Sequence, residues 1–160
     1  MRIRLLLVPL LIGGLAVTAC EDDDDPAGLA TSFSAALNAD NEVPPNASTA
    51  TGTASFEIDG DEIDFTLTTT GLTGVTAAHI HGPALSGENA TVIVPLFNAD
   101  TEGDWDGSKT ASFDVSDIAS GQATTTMDAL IALMRNGRTY VNVHTDVLPA
   151  GVIRGQITSN

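Results

Sequence analysis

The chain has 160 residues, with 6 Lys+Arg against 21 Asp+Glu, a formal charge of −15. That acidity disfavours a nucleic-acid backbone or an anionic lipid surface as partner. A single Cys excludes an internal disulfide and a multi-cysteine zinc site, and 42% hydrophobic residues are too many for a disordered chain. The length suits one domain with a real core.

Residues 1–19 read as a secretory signal. Arg2 and Arg4 precede an apolar stretch from Leu5 to Val17 that is broken by Pro9, Gly13 and Gly14 and ends in small residues. It is short for a membrane span. Val17-Thr18-Ala19-Cys20 resembles the bacterial lipobox, which implies cleavage before Cys20, lipidation of its thiol and an extracytoplasmic, membrane-anchored location in the cell envelope. Cleavage there removes two of the six basic residues and none of the 21 acidic ones, deepening the charge to −17. Residues 20–31 then form an acidic tether: Glu21 to Asp25 is a run of five like charges that repel one another and bury nothing.

Residues 32–158 read as one all-β domain. Phe33, Ala35 and Leu37 alternate with polar neighbours, as do Phe56 and Ile58, and Ile63, Phe65 and Leu67, with Asp59-Gly60-Asp61 as a hairpin signal between the last two runs. The Thr-rich stretch 66–70 suits a pleated surface. Further strands are expected at 77–81, 91–96, 110–115, 138–144 and 152–157. About eight short strands separated by Gly, Pro, Asn and Asp predict an antiparallel sandwich or barrel. One segment departs from this period: Met127 to Arg135 carries Leu130, Ile131, Leu133 and Met134 at helical spacing, with Thr126 as N-cap and Asn136-Gly137 as stop. Asp100, Glu102, Asp104 and Asp106 lie in a loop read as solvated, with Trp105 either packed on the sandwich or at a binding surface. Asp59, Asp61, Glu62 and Asp64 read as turn and outer-face residues.

The chemistry rests on the three histidines of the chain, His79, His81 and His144. His79 and His81 are two apart on an expected strand, so both rings leave one face, with Cβ atoms about 7 Å apart at a rise of about 3.3 Å per residue. Tyr140, Asn142 and His144 share a face of another strand. If the two strands are neighbours, three imidazoles meet. That donor set suits copper, with zinc as the alternative. Affinity should fall as the rings protonate, below about pH 6.5.

These residues carry a resemblance to the CHRD domain. Its matching pieces are Gly71-Leu72-Thr73, Ala78-His79-Ile80-His81-Gly82-Pro83-Ala84, Gly87-Glu88-Asn89 with Val92 to Leu96, Tyr140 to Thr145, and Pro149-Ala150-Gly151-Val152-Ile153-Arg154-Gly155-Gln156-Ile157. They span about residues 32–158. Where the family often has an acid, this chain has Val152. A fainter likeness is to copper–zinc superoxide dismutase, through Gly71-Leu72-Thr73, His79-Ile80-His81 and Gly137-Arg138-Thr139-Tyr140-Val141-Asn142-Val143-His144. It implies an eight-stranded Greek-key sandwich in which His79, His81 and His144 hold copper. Tyr140 and Asn142 would support these ligands from behind, and Arg154 or Arg138 would offer a guiding charge. The bridging histidine, zinc loop and disulfide cysteines of that enzyme are missing, so the expectation is metal binding without efficient dismutation. The other readings are an adhesion or protein-interaction module without metal and a dismutase-like enzyme.

Overall fold

The computed structural model describes residues 29–122 and 124–160. The signal peptide, Cys20 and the acidic run lie outside them. Among the described residues no helix is long and apolar enough to cross a membrane.

The strands are β1 (Ser32–Asn38), β2 (Thr51–Asp59), β3 (Glu62–Thr70), β4 (Val75–His81), β5 (Val92–Asn98), β6 (Ser108–Phe113), β7 (Tyr140–Thr145), β8 (Ile153–Gln156) and β9 (Thr158–Ser159). They form one antiparallel sheet in the order β5-β4-β7-β8-β1-β2-β3-β6, with β9 beside β1. The sheet curls nearly into a barrel, the all-β architecture expected from the sequence. The β2–β3 hairpin turns on Gly60-Asp61, with Gly60 at φ +60° and Asp61 on the ordinary side. A glycine first in a two-residue turn matches the right-handed twist of the flanking strands.

Alternation puts Phe33, Phe56, Phe65, Leu67, Ile80 and Val143 inside, each at most 4% exposed. Burial of such a side chain contributes roughly 1.5–3 kcal/mol. Among the described residues two α-helices interrupt the strands: α1 (Ala99–Glu102), a single exposed turn, and α2 (Met127–Arg135). The latter has the expected bounds. Thr126 accepts from the Ala129 N–H at 3.2 Å, and Leu130, Ile131 and Met134 join the core. Trp105 packs on the barrel: its ring meets Phe97 edge-on at 4.9 Å and its N–H donates to Thr69 Oγ1 at 2.8 Å.

Strand order positions the site. β4 and β7 are far apart in sequence, yet they pair directly, with Ala77 opposite His144, His79 opposite Asn142 and His81 opposite Tyr140. Residues opposite one another in an antiparallel pair share a face. All three histidines therefore stand on the outer face of the curled sheet, where the loops that follow β1, β4 and β7 fold over them.

Candidate metal centre

His79, His81 and His144 come together. One nitrogen from each ring falls within 4.8 Å of the others, and the ring centroids are 4.9–6.1 Å apart. His81 is 8% exposed, while His79 and His144 are half-buried.

Neighbouring carbonyls fix the tautomers, because a carbonyl oxygen only accepts. His81 Nδ1 lies 3.0 Å from the Ala90 carbonyl and so carries the proton. Its Nε2 is a bare lone pair, buried and without a partner among the described residues. His144 Nδ1 likewise donates to the Pro149 carbonyl at 3.0 Å, leaving its Nε2 bare. That atom sits 3.0 Å from His79 Nδ1, which must then be the donor. For His79 to offer Nδ1 to an ion, this proton moves to its own Nε2, a change of tautomer with no net proton loss.

Electrostatics keep the rings neutral. Burial, followed by the neighbouring His144 and His81 rings, lowers His79 to about 4. Burial outweighs the Ala90 hydrogen bond and lowers His81 to about 4, and it lowers His144 as well. The expectation that proton competition begins below about pH 6.5 is therefore corrected: desolvation moves it into the acid range.

These residues fit a d-block metal ion. Three neutral imidazoles converge, one of them orphaned in the interior, where an unpaired polar atom is costly. Ligands each about 2.1 Å from one ion in a trigonal or tetrahedral set are about 3.4–3.6 Å apart. Nitrogens that lie within 4.8 Å of one another thus have about 1.2 Å to close at the widest pair.

Tyr140 and Asn142, expected behind the ligands, stand opposite His81 and His79 on β7. Tyr140, 3% exposed, lies parallel to the His81 ring at 4.8 Å and 1°. Its hydroxyl sits between the Ala90 N–H at 3.2 Å and carbonyl at 3.4 Å. Asn142, also 3% exposed, donates from Nδ2 to Glu42 Oε1 at 2.7 Å, while its Oδ1 has no partner among the described residues. The sequence reading missed Glu42. This carboxyl is 7% exposed, and burial, opposed by Arg154 and the Asn142 hydrogen bond, raises it to about 7. Gly151 lies against it at φ +138°, where a Cβ would stand 2.3 Å from Asn142 Nδ2 and 2.7 Å from Glu42 Oε1.

Arg138 is exposed, whereas Arg154 is 2% exposed beneath the Tyr140 ring and does not face solvent as a guiding charge. Val152, where an acid was expected of the family, is packed into the core.

Comparison with known proteins bears on all of these residues. Residues 33–157, most of the chain, match the family described as the CHRD domain. No curated protein matches the chain.

Proposed function

This chain belongs to the CHRD-domain family, and we propose that its domain binds a transition-metal ion, copper first and zinc as the alternative, through His79, His81 and His144. The observation that carries the reading is the bare Nε2 of His81, an acceptor buried without a partner and aligned with two further imidazoles. Neutral rings need no deprotonation to bind. The 21 acidic residues also draw cations toward the domain, and copper(II) leads the divalent affinity order for nitrogen donors. Tyr140 packs against the His81 ring, and Asn142 stands opposite His79 on the neighbouring strand. A bound copper ion would supply one-electron exchange, and zinc a Lewis acid. The reading includes a lipid on Cys20 that holds the domain at the extracytoplasmic side of a bacterial membrane, supported by the basic, apolar and small-residue order of residues 1–20.

Titration of the purified protein tests the metal. One equivalent of copper should bind tightly at pH 7, and affinity should persist to about pH 5 before falling as His79 and His81 protonate near pH 4. The variant H79A/H81A/H144A should lose more than the roughly 100-fold typical of an outer-shell change. Equal affinity in the two proteins would remove the proposal.

A further inference from the structure

We propose that Arg154, buried behind Tyr140, is a positioning residue that orients His81 and biases the three-histidine site toward copper(I) over copper(II). This rests on the copper reading above.

The sheet order β4-β7-β8 places Tyr140 between the other two groups. On the β4 side its ring lies against His81, parallel at 4.8 Å. On the β8 side the Arg154 guanidinium carbon lies 3.4 Å from the ring centroid. The result is a column of imidazole, phenol and guanidinium. Arg154 also donates to Asn89 Oδ1 at 3.1 Å and to the Glu88 carbonyl. Those two residues lead directly into Ala90, whose carbonyl fixes the proton on His81 Nδ1. Arg154 thus holds, at once, the ring that packs on His81 and the segment that aims its lone pair.

Charge supplies the second half. A guanidinium stays protonated throughout the usable pH range. Among the described residues the one ion pair is Lys109–Glu102, so Arg154 has no carboxylate at ion-pair distance. Glu42 is the acid that acts on it, and that carboxyl is hydrogen-bonded to Asn142. Three neutral imidazoles bring no negative ligand. An interior positive charge disfavours the higher-charged ion, and a negative one favours it. Arg154 and Glu42 therefore push the one-electron couple in opposite directions.

The experiment is a mediated redox titration of copper-loaded full-length protein at pH 8, with an electrode as the electron source. R154M, which keeps bulk without charge, should lower the preference for copper(I) about tenfold, a potential about 59 mV lower for one electron. R154K should stay near wild type in potential, while losing the planar stack changes its copper(II) spectrum. E42Q should move the potential upward. Opposite signs from two neutralising changes are not what loosened packing would produce. An unmoved R154M, or R154M and E42Q shifting the same way, would overturn the inference and leave copper binding intact. Should R154M fail to fold, an E42Q potential that is unmoved or lowered would overturn it alone. A wild-type protein that takes up no copper removes the metal reading and this inference together.

Discussion

Gly155→Ala lowers stability by about 3 kcal/mol, the upper end for overpacking a tight interior. Gly155 is in β8, between β7 and β1. A Cβ there would stand 2.5 Å from the Ala36 carbonyl oxygen, 2.8 Å from its carbon and 3.2 Å from Leu37 Cγ. The first two atoms are backbone of β1 and cannot swing aside as a flexible side chain does. β8 would have to draw away from β1, which strains the Asn38–Arg154 pairing and the Asn41 side-chain bond to the Arg154 carbonyl at 3.1 Å. That junction joins the half of the sheet bearing the histidines to the half bearing the β2–β3 hairpin. Urea unfolding should show a lower midpoint with an unchanged slope, and thermal unfolding a loss of roughly 10 °C. A melting temperature indistinguishable from wild type would show that the two strands have slack here.

Acidification should destabilise the metal-free protein, with greatest stability near pH 6.5. His79 and His81 have native values near 4 against 6.5 in the unfolded chain, and His144 is lowered too. Between those values the unfolded state binds more protons. The contribution of the rings is thus complete above pH 6.5 and lost as pH falls toward 4. Glu42 acts in the opposite sense. Its native value of about 7 exceeds 4.5, so its contribution is complete below pH 4.5 and lost as pH rises through 7. Three imidazoles outweigh one carboxyl between pH 4.5 and 6.5. With discount for the half-exposed His79 and His144, the melting temperature should fall by roughly 5–10 °C from pH 6.5 to 4.5. Thermal melts at high salt, which screens repulsion among the surface acids, read this directly. E42Q should remove the decline on the alkaline side of pH 6.5. A melting temperature that stays flat or climbs on acidification under those conditions contradicts the buried, neutral state of the rings.

The sequence carried the class of fold well where one face of an element is buried. The alternation Phe33-Ala35-Leu37 and the helical spacing of Leu130, Ile131 and Met134 each appear in the structure as read. Strand ends were less legible. β2 begins at Thr51, where Thr51, Gly52 and Thr53 are held by pairing rather than by apolar periodicity. β4 begins at Val75, a buried core residue cut off from the later apolar positions by Thr76 and Ala77. Two short elements, α1 and β9, gave no periodic signal at all. The three histidines were visible as candidates from the two-residue spacing of His79 and His81 and from the face shared by Tyr140, Asn142 and His144. Their meeting was not, since it depends on β7 lying beside β4 with Ala77 opposite His144. Glu42 had no signal: it follows a short turn after β1, and only folding brings it to Asn142, one hundred positions later. Arg154 read as a surface charge because a lone arginine in a strand carries no mark of the tyrosine that will cover it.

An ion bound by this domain would be held by the three imidazoles together. An X-ray absorption spectrum of the copper-loaded protein should show a shell containing three imidazole nitrogens at about 2.0 Å, an ordinary metal–imidazole distance. A shell of oxygen atoms, or one holding a single imidazole, would contradict it.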